Sequence, residues 1–274
     1  MNNNENKVNT RTAMSNNSHP LHYQIHGHQG PYILMVHGFM SSRSQWRPNV
    51  EELCQIGRPV VVELYGHGRS PSPEDIMHYK PDGYVKEFER IREEIGAETW
   101  LVVGQSLGAS LSLRYVHDFP ERVIAQVFTN SRSAVSDEEW EEEMSALAAD
   151  VREQGRPYID AYPLNPARAK RLPEDLVKHI IADTHLIDIE GFANTGLHTI
   201  TNACVRHLLE DIHCPTLLVV GEYEKKFLPF RDHIHEIMPN VEVVNLPGGH
   251  AVNLDAAPEF NQAVIEFFSR HLSA

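Results

Sequence analysis

Six short apolar runs, separated by helical patterns, constrain the fold of this 274-residue chain more than any other feature. They lie at residues 32–36, 60–64, 100–103, 123–129, 215–221 and 241–246 and are rich in β-branched and aliphatic residues. Most are nearly continuous in apolar residues, the pattern of strands buried on both faces of a parallel sheet. Residues 49–57, 83–95 and 107–119 read as helices between them. In a last helix Phe260, Ala263, Val264, Phe267, Phe268 and Leu272 fall on one face, with Pro258 at its start. Alternating β and α predicts the α/β class, with a doubly wound, mostly parallel sheet carrying helices on both faces.

One stretch breaks the alternation. Residues 133–209 hold no convincing strand. Trp140, Met144, Leu147 and Val151 form an apolar stripe opposite an acidic face, and residues 176–181 and 199–209 suggest further helices. A single crossover rarely needs so many residues. The expectation is therefore a helical cap over 133–209, inserted into a core formed by 19–132 and 210–274. Residues 1–18 are rich in Asn and lack the apolar segment of a signal peptide, so they read as a disordered tail.

Charge narrows the partners. With 24 basic and 38 acidic residues the formal net charge is −14, which argues against nucleic acid or an anionic membrane surface. No run reaches the length of a membrane span. Cys54, Cys204 and Cys214 are odd in number, widely spaced and form no CxxC, as expected of free thiols in a reducing compartment. A cytoplasmic protein acting on a small molecule is expected, with self-association left open.

The chemistry gathers around Gly104-Gln105-Ser106-Leu107-Gly108, directly after the apolar run at 100–103. A Gly-x-Ser-x-Gly between a strand and a helix is the pattern of a nucleophile elbow. The turn is so tight that the residues two positions either side of the serine must lack bulk. It would aim the Ser106 hydroxyl away from the sheet and set the Leu107 N–H at a helix N-terminus, where developing negative charge is stabilised.

Serine needs a base to take its proton and a carboxylate to orient that base. Among 17 histidines, His250 stands out by context. It follows the last predicted strand through Leu246-Pro247-Gly248-Gly249 and precedes the final helix, at a strand's carboxyl end where sites gather. Beyond the run at 215–221 lie Glu222 and Glu224. Glu224 is the candidate orienting acid and Glu222 the runner-up, with Asp137 also open. After the first run, Gly38 permits a bend that exposes the Phe39 N–H as a second oxyanion donor. Met40, Trp140 and Phe227 are candidate pocket residues. His233-x-His235 suits a helix poorly as a metal pair, and Gly66-x-Gly68 lacks the rest of a dinucleotide fingerprint. No metal or cofactor is expected.

These residues resemble the α/β-hydrolase superfamily, specifically its capped serine esterase-like branch. The resemblance runs from about Leu21 to Ala274 and rests on His37-Gly38-Phe39, Gly66-His67-Gly68-Arg69-Ser70, the Ser106 elbow, Gly221-Glu222-x-Glu224 and Gly249-His250. The family usually has aspartate where Glu224 stands, and often Asp and Pro where Glu63 and Tyr65 stand. The resemblance implies a carboxylesterase on small to medium acyl esters. It equally covers carbon–carbon bond hydrolases, the lyase of menaquinone biosynthesis, lactonases, thioesterases and perhydrolases. An anionic substrate would call for basic residues, and Arg132, Arg168, Lys170 and Arg171 lie in or near the expected cap. Haloalkane dehalogenases and epoxide hydrolases carry Asp at the Ser106 position. A non-catalytic ligand receptor is the reading furthest from this set of residues.

Overall fold

The computed structural model describes residues 19–166 and 172–272. The tail expected over 1–18, and with it Arg168, Lys170 and Arg171, lies outside the described residues. Seven strands form one sheet in the order β1-β3-β2-β4-β5-β6-β7. They are β1 (Tyr23–Ile25), β2 (Tyr32–Val36), β3 (Arg58–Val62), β4 (Trp100–Gly104), β5 (Val123–Thr129), β6 (Thr216–Gly221) and β7 (Val241–Leu246). Only β1 runs antiparallel, against β3.

Strand alternation sorts the side chains into two cores. Leu34, Val36, Val60, Val62, Trp100, Val102, Leu218 and Val220 face one side. There they meet Phe88 and Ile91 of α2 (Pro81–Glu94) and Leu111 and Tyr115 of α3 (Leu107–Asp118). Ile33, Met35, Val61, Leu101, Val103, Leu217 and Val219 face the other. Their partners are Leu53 of α1 (Arg47–Leu53) and Phe260, Val264, Phe267 and Phe268 of α11 (Ala257–Leu272). Burial on both sides is why the central strands read as continuous apolar runs.

Between β5 and β6 the chain forms α4 (Arg132–Val135), α5 (Glu141–Gln154), α6 (Arg156–Ala161), α7 (Glu174–Thr184) and α8 (Ile189–Asn194). Met144, Leu147 and Val151 of α5 are buried, so the stripe read from sequence packs inward. Two glycines let this block approach the core closely. A Cβ on Gly66 or Gly191 would collide with the other's backbone, so only glycine fits at either position. Beyond β6 lie α9 (Leu228–Ile237) and, after β7, α10 (Val252–Asp255).

The structure departs from the sequence expectation at several points, among them α1, which spans Arg47–Leu53 rather than 49–57, and β3, which spans Arg58–Val62 rather than 60–64. Strand β1 was not foreseen, because three residues containing a polar Gln24 give no readable period. The helix expected over 199–209 is instead two short 3₁₀ segments, Ile200–Asn202 and Arg206–Asp211. Leu272 is 37% exposed and lies off the buried face of α11, near the end of the helix. The cysteines are free, and among the described residues no helix is long and apolar enough to cross a membrane.

Candidate active site

Strand β4 ends at Gly104 and α3 begins at Leu107, so Ser106 sits in the turn between them. Its φ of 53° and ψ of −120° are strained for a residue with a Cβ. The flanking glycines are needed for close approach. A Cβ on Gly104 would lie 2.6 Å from the Gly108 carbonyl oxygen, and one on Gly108 would lie 2.6 Å from that of His37. The turn thus presents Ser106 at the carboxyl end of the sheet and at the N-terminus of a twelve-residue helix.

Three loops converge on it. The Ser106 hydroxyl Oγ lies 2.8 Å from His250 Nε2. His250 Nδ1 lies 3.1 Å from both carboxylate oxygens of Glu224. Glu224 Oε2 accepts a further bond of 2.7 Å from Asn130 Nδ2, and the same amide group donates to the Gly221 carbonyl at 3.2 Å. Burial alone would push the Glu224 carboxyl up. The hydrogen bond and charge of His250, with Asn130 and Arg132, outweigh it and hold the group below the usual carboxylate range. Glu222 is exposed and its backbone N–H bonds Leu246 across the sheet, while Asp137 pairs with Arg206. Of the three acids considered, only Glu224 meets His250.

The loop after β2 meets the elbow from the other side. A Cβ on Gly38 would stand 3.0 Å from Ser106 Cβ, which shows how closely this loop passes the hydroxyl. Met40 has a φ of 60°. Its N–H donates to His67 Nε2 at 3.2 Å, and His67 Nδ1 lies 2.9 Å from the Tyr65 carbonyl. His37 matches it, accepting from the Leu64 N–H at 3.0 Å with Nδ1 2.7 Å from the Gly38 carbonyl. Both histidines are fully buried. Burial, and then the neighbouring His37, lower His67 to about 3, and burial also lowers His37. Both are therefore neutral imidazoles whose single N–H points at a carbonyl, and together they hold the Phe39–Met40 turn.

Phe39 stacks on Phe192 of α8 at 4.7 Å and meets Tyr162 edge-on, so the inserted helices lie against this same loop. The three candidate pocket residues divide. Met40 and Phe227 are 0% and 1% exposed and pack in the core. Trp140 is half-buried, lies under the Arg132 guanidinium at 5.7 Å, and finds no partner for its indole N–H among the described residues. His233 accepts from Arg206 at 3.1 Å, and among the described residues no group of three His, Cys, Asp or Glu is arranged to hold a metal.

A family model described as the alpha/beta hydrolase fold matches residues 31–186. The chain belongs to this family. Among its α/β-hydrolase relatives is a putative 2-succinyl-6-hydroxy-2,4-cyclohexadiene-1-carboxylate synthase of Bacillus subtilis, 26% identical over 86% of this chain and 90% of the relative. A putative carbamate hydrolase, RutD, of Variovorax paradoxus is 27% identical over 92% of this chain and 97% of its own. A thermophilic esterase from Thermogutta terrifontis has a similar structure, with a TM-score of 0.75, 22% identity and coverage of 92% and 93% of the two chains.

Several residues of this α/β-hydrolase site were not singled out from sequence. Gln105 is nearly buried, and its side-chain amide donates to the His250 carbonyl at 3.1 Å, tying the elbow to the histidine loop. Asn130 is fully buried at the end of β5 and grips both Glu224 and the end of β6. A polar residue directly after a buried strand, at the sheet's carboxyl end, is the signal that could have found Asn130. His37 and His67 carried no such signal, because each was read only as part of a loop motif.

Proposed function

We propose that this α/β-hydrolase is a serine carboxylesterase acting on small to medium acyl esters. The observation that carries the reading is the continuous hydrogen-bonded line Glu224, His250, Ser106, with the hydroxyl 2.8 Å from the imidazole. In this reading His250 Nε2 takes the Ser106 proton as Oγ attacks the ester carbonyl. The resulting oxyanion sits between the N–H groups of Phe39 and Leu107, each worth roughly 3 kcal/mol of barrier. His250 then protonates the leaving alcohol, and a water activated by the same nitrogen releases the acid from the acyl enzyme. Glu224 keeps Nδ1–H oriented and balances the imidazolium.

The inserted helices over 133–209 act as a cap in this proposal, supported by the Phe39–Phe192 stack, which sets α8 against the oxyanion loop. Trp140 is taken to line the pocket, a reading supported by its half-buried ring beside Arg132, while Met40 and Phe227 are taken to back it from the core. The three free cysteines accord with a cytoplasmic setting. The names of the carbamate hydrolase and the esterase both denote attack at an acyl carbonyl, which favours this chemistry over the synthase's. The synthase reading would need cations free to meet an anionic substrate. Of the basic residues considered, the described one, Arg132, is already paired with Glu138.

The test is Ser106→Ala against a panel of p-nitrophenyl esters, with covalent labelling by a fluorophosphonate probe. Loss of turnover and of labelling, with the circular dichroism melt retained, is the expected result. Near-normal turnover in Ser106→Ala would overturn the proposal. So would wild-type inertness to every ester alongside turnover of a succinyl-cyclohexadiene substrate.

A further inference from the structure

A cavity of about 1120 Å³ runs along the open edge of the sheet, between β1, α1 and α7. Neither Ser106, Glu224 nor His250 lines it. Arg43, Arg47 and Arg69 project into it, with His26, His28 and His179 around them. The acidic side chains in its lining are Glu51 and Asp183. Three guanidiniums meeting in one cavity run against the −14 net charge of the chain.

The three arginines differ in what they already hold. Arg69 is engaged at both ends, binding Glu63 at 3.1 Å and Asp183 at 2.9 Å. Those acids are further committed, Glu63 to His22 at 3.0 Å and Asp183 to the Ser42 hydroxyl at 2.9 Å. Arg43 and Arg47 form no side-chain hydrogen bond or ion pair among the described residues, and Glu51, one helical turn from Arg47, pairs with neither. Arg43 is also partly buried. Burial, and then the charge of Arg69, draw its guanidinium below the usual range, while Arg47 adds further repulsion. His26 is lowered likewise, by burial and then by Arg43. Glu63 and Asp183 oppose the lowering of Arg43 but are already bound to Arg69, and Arg47 is exposed, so an incoming anion would supply the direct partner that Arg43 and Arg47 lack among the described residues. A guanidinium fork matches the oxygens of phosphate or carboxylate.

We propose that this cavity is a second ligand site, separate from the serine centre, that takes a small polyanion bearing phosphate or carboxylate groups between Arg43 and Arg47. Its volume lies just above the usual range of small-molecule sites, with room for a ligand of nucleotide size. The cavity is lined by α1 and β1 of the core and by His179 and Asp183 of α7, so it lies where the core meets the inserted helices.

Calorimetric titration at low ionic strength, with pyrophosphate and citrate as probes, tests the proposal. Saturable one-to-one binding of at least one probe is expected, and the tighter of the two tells whether phosphate or carboxylate is the preferred group. Arg43→Gln/Arg47→Gln should weaken that binding about tenfold for each guanidinium lost. Should that variant melt early, Arg43→Gln alone carries the test with a single tenfold loss. Arg132→Gln, which removes a cation that acts on Glu224 and lies outside this cavity, should leave binding unchanged. Three results overturn the proposal: neither probe binds, the arginine variants bind as wild type does, or Arg132→Gln abolishes binding instead.

Discussion

Replacing Glu224 by glutamine changes one atom and two protonation states. Both carboxylate oxygens lie 3.1 Å from His250 Nδ1, and Oε2 also accepts from Asn130 at 2.7 Å. Whichever way the new amide is turned, its NH₂ group lies beside Nδ1. Asn130 selects the turn that leaves the new carbonyl oxygen at the Oε2 position, so the NH₂ stands at the other position, 3.1 Å from Nδ1, and favours Nδ1 as its acceptor with the ring proton on Nε2. That nitrogen then donates to Ser106 and can no longer take its proton. Losing the charge-assisted bond costs about 1.5–3 kcal/mol, or roughly 10–150-fold. The wrong tautomer can raise the loss toward ~10⁴ in a buried triad. Here the side chains of His250 and Glu224 are 44% and 20% exposed, so solvent moderates the effect. The expected fall in kcat on p-nitrophenyl butyrate is about 10²–10³-fold, with KM changed by less than about threefold. Glu224→Asp withdraws the carboxylate by about 1.5 Å, out of bonding range of Nδ1, and should cost about tenfold. Exposed Glu222→Gln should be near neutral. The reasoning fails if Glu224→Gln keeps more than a third of the wild-type kcat, or if Glu222→Gln falls as far.

Three further outcomes are expected. Ser106→Gly removes a Cβ from a φ of 53° and should raise the unfolding free energy by about 1 kcal/mol in urea titrations while ester turnover is lost; lower stability would contradict the strain at the elbow. Gly38→Ala would set a Cβ 3.0 Å from Ser106 Cβ and push the Phe39 N–H off the oxyanion position, lowering kcat by roughly 10²–10³-fold in a folded protein, and unchanged kcat would remove Phe39 from that role. His67 is neutral in the folded chain down to a pKa of about 3, whereas the unfolded chain takes up a proton below the ordinary 6.5. Stability therefore falls as pH drops from 6.5 toward 3, by up to about 1.4 kcal/mol per pH unit from this group. His67→Gln should flatten that slope between pH 6 and 4 by up to one proton, and identical slopes would show that the clamp does not titrate this way.

Much of the core was legible because burial on both faces leaves a direct imprint on sequence. β2, β5 and β7 fall on their predicted residues, since each run is bounded by turn-forming residues. β3 begins two residues before its apolar run, because Arg58 and Pro59 are carried into the sheet by pairing with Tyr32 and Ile33. β1 left no imprint, being a three-residue edge strand fixed by its partner β3. The segment over 199–209 misled because its apolar residues satisfy a helical period locally, yet Ala203 and Val205 are fixed by contacts with the Ser110 hydroxyl and the Ala134 carbonyl instead.

At the site the division is sharper. The sequence by itself determined the elbow, since Gly104 and Gly108 are demanded by a turn whose atoms are all near in the chain. It also determined that a histidine after the last strand would end near that turn, because parallel strands gather their carboxyl ends on one edge. Only the tertiary structure shows that Glu224, preferred from sequence over Glu222, is the carboxylate beside His250, since the two share loop and sign of charge. The choice depends on which carboxylate the turn after β6 aims at an imidazole 26 residues away, with Asn130 from β5 fixing it in place. Likewise, the neutral state of His67 and the lack of a partner for Arg43 and Arg47 among the described residues are properties of neighbours brought together by folding. Local steric demands are written residue by residue, while electrostatic environment belongs to the assembled surroundings.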